Sequence, residues 1–229
     1  MAGFGAFGKI PAVADFFQLG LPPGFVGPWD RWVQEGLLAS RAILAERWQA
    51  CFFSAPIWRF TLAPGLAGPA AVQGVLMASV DRSGRQFPLT LAGPLRGVTP
   101  PDVLAAHRAA EQSFAGLEAI ALEALEDSMT RAILAGRLLT VPGVDARRGA
   151  PVTRSAGAVA VRGKGDLADA LAARLAGAGY PKPSIWTAIL PEDGLLFVQN
   201  GLPLPARMAD LYDSDAALWH AALTEGALP

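Results

Sequence analysis

An α+β fold, with a mixed, largely antiparallel central sheet flanked by helices, follows from three features of the sequence. Two pairs of short apolar runs are joined by turn sequences, Asp81-Arg82-Ser83-Gly84 and Pro191-Glu192-Asp193-Gly194, which predict hairpins. Apolar residues recur at a 3.6-residue period after Pro28 and again over 102–137, which predicts amphipathic helices. Strands joined by hairpins and mixed with helices make an antiparallel sheet with a helical cover.

In chain order, Gly3 to Phe17 is glycine- and aromatic-rich and contains Pro11, so it reads as an edge strand and a loop. From Pro28, the residues Trp29, Trp32, Val33, Leu37, Leu44 and Trp48 share one face of a single long helix, with Asp30 near its positive end and Pro56 as its stop. Ile57 to Leu62 alternates, with Trp58, Phe60 and Leu62 on one face and Arg59 and Thr61 on a wet or paired face. Val75 to Val80 and Arg85 to Leu91 form the first hairpin, with Asp81 and Gly84 suited to the ends of a type I turn.

Residues 102–137 read as one long helix or two abutting ones. The Pro-, Gly- and Arg-rich stretch 138–158 is the expected mobile connection, within a single domain spanning 1–229. A short strand at 159–161, a helix over 166–175, the second hairpin (185–190 with 195–199) and a helical tail anchored by Leu211, Leu218 and Trp219 complete the reading.

Composition excludes several classes of function. A net charge of −1 gives no general attraction for nucleic acid or anionic lipid. The single cysteine, Cys51, can form no internal disulfide and no thiolate metal site. The first residues lack the basic region of a signal peptide, so a cytoplasmic location is expected. The uncharged stretch from Phe60 to Val80 is cut by Pro64, Gly65, Gly68, Pro69 and Gly74 into pieces of strand length, so no membrane insertion is expected.

Motifs for chemistry are weak. Gly3 to Gly8 satisfies G-x-G-x-x-G, and with Lys9 also G-x-x-x-x-G-K, but only two residues precede it and Ile10 stands where a P-loop needs a hydroxyl. Gly163 to Asp166 reads as a turn and helix cap. His107 and His220 have no ligand partners at metal spacing and read as solvated, as do the acidic pairs Glu126-Asp127, on a helix face, and Glu192-Asp193, in a turn. No nucleophile elbow is present, and no cofactor is expected.

The informative constellation sets charge into core-like strands. Arg59, Asp81 and Arg85 must find partners or reach the rim, because an unpaired buried charge costs several kcal/mol. A structural ion pair closing the hairpin is the first reading, and a partner-docking patch the second. If the ion pair is buried, Arg59→Ala should cost about 2 to 4 kcal/mol, and Asp81→Ala should destabilise in the same way. Trp58→Ala should cost about 3 to 5 kcal/mol as a core truncation.

These residues resemble the signature of the TagF/ImpM family of type VI secretion-associated proteins. The matches are Gly5, Gly8-Lys9-Ile10-Pro11, Asp15-Phe16, Leu21-Pro22, Phe25, Trp29-Asp30-Arg31-Trp32, Ala55 to Phe60, Gly74 to Met77, Ser79 to Arg82, Gly84-Arg85 and Phe87-Pro88-Leu89. They are strongest over 4–95, with Gly201-Leu202-Pro203 and Leu211 a weaker C-terminal echo. Two departures stand out: Ala12-Val13-Ala14 where the family usually has Ser-Arg-Gly, and Ala78 where it has proline. The resemblance implies a cytoplasmic accessory protein that represses type VI secretion after translation by binding a forkhead-associated scaffold protein, with no catalytic residue and no cofactor. The candidate partner-binding or structural signature is Lys9, Asp15, Trp29, Asp30, Trp58, Arg59, Asp81, Arg82 and Arg85. The alternative is a phosphate- or nucleotide-handling enzyme using Lys9, Asp81, Arg82 and Arg85, which requires those groups to converge on one pocket. The sequence identifies neither the oligomeric state nor the direct partner.

Overall fold

The computed structural model describes residues 3–143, 152–155, 158–161 and 179–220. The strands are β1 (Gly5–Gly8), β2 (Phe17–Leu19), β3 (Trp58–Leu62), β4 (Ala71–Met77), β5 (Leu89–Leu95), β6 (Val152–Ser155), β7 (Ala158–Val161), β8 (Pro183–Ile189) and β9 (Gly194–Asn200). The helices are α1 (Val26–Leu44), α2 (Trp48–Ser54), α3 (Val103–Ala109), α4 (Glu111–Glu123), α5 (Arg131–Leu138), α6 (Met208–Tyr212) and α7 (Ala217–His220). Seven strands form one sheet in the order β2-β1-β5-β4-β3-β8-β9, and β6 and β7 pair separately. Every pairing is antiparallel, so the α+β reading holds and the sheet has no parallel pair among the described strands.

Alternation along β3 sorts the two cores. Trp58, Phe60 and Leu62 join Trp29, Trp32, Trp48 and Trp186 beneath α1, α2 and α6. On the opposite face Val75, Met77, Leu89 and Leu91 pack under Phe114, Leu117 and Ile120 of α4 and Leu134 of α5. Trp29 is the hub of the first core, its ring 4.7 Å from Trp32, 4.8 Å from Phe60 and 5.2 Å from Phe25. A buried indole N–H needs an acceptor, and all six tryptophans have one: Trp29 donates to Thr90, Trp32 to Pro203, Trp48 to Gln86, Trp58 to Leu211, Trp186 to Ser184, and Trp219 to Asp210 and Asp213.

Several elements differ from the sequence reading. The glycine-rich β1 is not an edge; it lies between β2 and β5, because the chain doubles back after the Pro11 turn and Phe17–Leu19 takes the edge. The long first helix ends at Leu44, where Ala45 adopts φ 46°, and α2 restarts at Trp48. No glycine or proline marks that break. Tertiary bonds hold it instead, with the Trp48 indole donating to Gln86 at 2.7 Å and Arg47 pairing with Asp213 at 2.8 Å. Because α1 begins at Val26, Asp30 lies beyond its first turn and accepts from Gln34, one turn further on, at 2.8 Å.

The run 102–137 divides into three helices. Thr130 caps α5 by accepting from the N–H of Ile133, and Glu126-Asp127 lie exposed in the connection before it rather than on a helix face. Most of the expected connection 138–158 and the expected helix 166–175 lie outside the described residues. Among the described residues no helix is long and apolar enough to cross a membrane.

Candidate functional site

The tip of the β4–β5 hairpin carries the densest polar site among the signature residues. Asp81 opens a turn in which its carbonyl accepts from the N–H of Gly84 at 2.8 Å, and Gly84 has the positive φ of +80° that this turn needs. One carboxylate oxygen, Oδ1, accepts from the Ser83 N–H (2.9 Å), the Ser83 hydroxyl (2.7 Å) and the Arg85 N–H (3.0 Å). The other, Oδ2, accepts from Lys9 Nζ at 2.9 Å and Arg85 Nε at 2.7 Å. Burial by itself would raise the Asp81 pKa, but the hydrogen bonds from Ser83, Lys9 and Arg85 outweigh it and hold the carboxyl far below the ordinary carboxylate range.

Lys9 reaches this site because β1 ends there. Its side chain is 6% exposed, and Nζ also lies 4.6 Å above the Phe16 ring. The two exposed arginines tie down the loop between β1 and β2: Arg82 donates to the Ala12 carbonyl at 2.7 Å, Arg85 to that of Ala14 at 2.8 Å, and the Arg82 N–H to that of Val13 at 3.3 Å. All three grips are on main-chain oxygen. The side chains of Ala12, Val13 and Ala14 take no part in these bonds, which gives the departure from Ser-Arg-Gly a physical reason to be tolerated. Asp15 is exposed and accepts from the neighbouring Phe16 N–H at 2.8 Å.

Arg59 lies elsewhere and does not meet Asp81. It crosses the opposite face of the sheet to α4, where Nε and an Nη donate to the two oxygens of Glu118 at 2.6 and 2.8 Å and the other Nη donates to Glu111 at 2.8 Å. Glu111, Phe114 and Glu118 share one face of α4, and the Phe114 ring lies 5.6 Å from the guanidinium. The ion pair expected to close the hairpin is therefore Asp81 with Lys9 and Arg85, and Arg59 makes a second, separate construction.

His107 corrects the reading of a solvated side chain. It is buried beside Arg59, its Nδ1 2.9 Å from the Thr61 hydroxyl and its Nε2 2.9 Å from that of Thr187. Burial, then the charges of Arg59 and Arg108, lower its pKa to about 3, so the ring is neutral at physiological pH. Only the position of Thr61 and Thr187 on the polar row of the sheet could have signalled it. The side chain of His220 lies outside the described residues.

The G-x-G-x-x-G run has a packing role. A Cβ on Gly5 would fall 2.1 Å from the Leu19 carbonyl oxygen, and Gly8 has φ +129° with its Cβ position 2.2 Å from the Pro88 carbonyl oxygen. These glycines let β2 and β5 close on β1, where a dinucleotide loop would have a helix. No group of three or more His, Cys, Asp or Glu among the described residues is placed to hold a metal.

Of the nine signature residues, Lys9, Trp29, Trp58, Arg59 and Asp81 are buried, and Asp30 is half-buried. Asp15, Arg82 and Arg85 remain at the surface, beside Phe16, which is 44% exposed. The architecture is that of an α+β protein with helices on both faces of an antiparallel sheet, whose hairpin tip carries a carboxylate saturated by the protein's own donors. Residues 5–141 match the TagF N-terminal domain, Type VI secretion system-associated, and the chain belongs to that family. The crystal structure of PA0076 from Pseudomonas aeruginosa PAO1 superposes with a TM-score of 0.76 at 29% identity, over 93% of this chain and 95% of that one. No curated protein matches the chain.

Proposed function

We propose that this chain is a cytoplasmic accessory protein of type VI secretion that represses the apparatus after translation by binding a forkhead-associated scaffold protein, without catalysis. The observation that carries the reading is the saturation of Asp81. Lys9, Asp81 and Arg85 do converge, as an enzyme site would require, but the two cations neutralise the carboxylate and donate to the protein itself. A phosphate would have to displace a buried ion pair to enter.

What is left for a partner is the outer surface of the same knot. Phe16, braced 4.6 Å from the Phe87 ring, stands beside the exposed parts of Arg82 and Arg85. A half-exposed aromatic next to arginine is the composition favoured at interface centres.

The test is capture of the forkhead-associated scaffold from a native cytoplasmic extract by the tagged chain, compared with Arg82→Glu. Expected is co-purification with the parent chain and its loss with the variant at an unchanged melting temperature. Absence of the scaffold together with measurable nucleotide hydrolysis would reverse the reading in favour of the phosphate-handling enzyme.

A further inference from the structure

The two edges of the seven-stranded sheet are built differently. β2 has three residues, is followed at once by Gly20 and then Pro22-Pro23, and has Arg131 5.7 Å from its Phe17 ring. Short length, proline and nearby charge are the usual protections of an edge. β9 has seven residues, Gly-Leu-Leu-Phe-Val-Gln-Asn, with no charge and no proline, and every one of them is at least partly exposed. It pairs with β8 on one side, and no described strand lies on the other.

The hydrogen bonds of the β8–β9 hairpin fix which backbone groups face outward. The Leu190 N–H donates to the Asp193 carbonyl at 2.9 Å, and the Gly201 N–H to that of Lys182 at 2.8 Å. Bonded and non-bonded pairs alternate along an antiparallel ladder, so Leu195, Phe197 and Gln199 turn their N–H and C=O toward β8. Gly194, Leu196, Val198 and Asn200 turn theirs away from the sheet. Around them the surface is apolar: Leu196 is 60% exposed, and Ile189, opposite Gly194 at the hairpin's end, is 62% exposed.

We infer that β9 is a self-association edge, which pairs antiparallel with β9 of a second copy of this chain about a two-fold axis through Phe197. In that register Gly194 faces Asn200 of the second copy and Leu196 faces Val198, so the outward backbone groups of all four residues are paired. A strand without charge puts no like charges opposite each other when it meets itself. The ends are complementary as well. The acidic turn Glu192-Asp193 of one copy is brought to the end of β9 in the other, where Lys182 pairs with Gly201. Fourteen strands would then run as one sheet, leaving the hairpin tip at Asp81 uninvolved.

The full chain is examined by sedimentation across the micromolar range and by hydrogen exchange at the two ends of that range. A dimer that grows with concentration is expected, with the amides of Leu196 and Val198 slowing as it forms while Leu195 and Phe197, already bonded to β8, change little. L196K/V198K sets lysine against lysine across the axis and should weaken the dimer by at least about tenfold, whereas L196E/V198K sets opposite charges face to face and should recover most of the loss. A monomer at every concentration with unchanged exchange at Leu196 and Val198 overturns the inference. So does a dimer indifferent to these substitutions. If the double variants fail to fold, the concentration dependence of the parent chain's exchange decides alone.

Discussion

The hairpin tip and the α3–α4 side of the sheet each bury a charge, and they manage it in opposite ways. At the tip the anion is central: Asp81 is enclosed, one of its cations, Lys9, is enclosed with it, and Arg85 covers the outside at 61% exposed. Under α4 the cation is central: Arg59 is enclosed, Glu118 is 20% exposed and Glu111 68% exposed. The difference decides what is stranded when the centre is removed. Without Asp81 an ammonium is left inside the protein, whereas without Arg59 the exposed Glu111 turns to water and only the partly exposed Glu118 loses its partner. Burial of the satellite charge therefore sets the cost more than the number of hydrogen bonds does.

The largest effect should be that of Asp81→Ala. It removes the turn's internal acceptor and the carboxylate that pairs with a buried lysine, and the melting temperature should fall by on the order of 10 °C. Lys9→Met in the same background should recover part of that loss by removing the stranded charge. If the double variant is no better than Asp81→Ala, Lys9 is not held by the pair and the contrast with Arg59 fails.

Arg59→Ala comes next, at about 2 to 4 kcal/mol in denaturant unfolding, because Glu118 loses both of its bonds while Glu111 rehydrates easily. Arg59→Lys keeps the charge without the planar fork that grips two oxygens of Glu118, and should fall between Ala and the parent. A lysine variant as stable as the parent would show that charge alone suffices there.

The two hairpins and the alternation of β3 were legible in the sequence because they rest on local rules, although the first hairpin pairs Ala71–Met77 with Leu89–Leu95 where 75–80 and 85–91 were expected, and β2 had no signal of its own. Alternation assigned Arg59 and Thr61 to a paired face, and Asp81 with Gly84 announced a turn, as found. What was not legible depends on contacts between distant segments. Trp48 looks continuous with α1 until Gln86 is seen to pull its indole into α2, and β1 looks like an edge until Gly5 and Gly8 are seen to admit neighbours on both sides. The same holds for the candidate site. Sequence offered Arg59, Asp81 and Arg85 as one set, and only the fold separates them, with Arg59 held by Glu111 and Glu118 of α4 and Asp81 held by Lys9 and Arg85 at the hairpin tip. Glu111, Glu118 and His107 were missed because an acidic helix with one histidine has the composition of a solvated surface.

The two constructions also respond differently to pH. His107, beside Arg59, has a folded pKa of about 3 against roughly 6.5 in an unfolded chain. Its contribution is complete above 6.5 and is lost as pH falls from there toward 3, with a slope approaching one proton, because only the unfolded chain binds that proton readily. Asp81 also has a lowered folded pKa, so its contribution is complete above its unfolded value near 4 and lost below that. The two constructions thus weaken in different windows. Stability measured from pH 7 to 4.5 should slope in the parent chain and flatten in His107→Gln, while Asp81→Asn should leave that slope in place.

The smallest effect should belong to Arg82→Ala, and it separates holding the knot from holding the loop. Arg82 is exposed, does not touch Asp81 through its side chain, and gives that side chain's hydrogen bond to the Ala12 carbonyl. An exposed charged-to-neutral bond of this kind contributes roughly 1 kcal/mol or less, so global unfolding should hardly change. The loop from Ala12 to Asp15, gripped through main-chain oxygens, should nevertheless open more often, and the amide of Val13 should exchange faster while that of Ser83, bonded to Asp81, does not. Equal acceleration at both amides would mean that loop and hairpin tip open as one unit. The rim offered to a partner would then be inseparable from the buried charge beneath it.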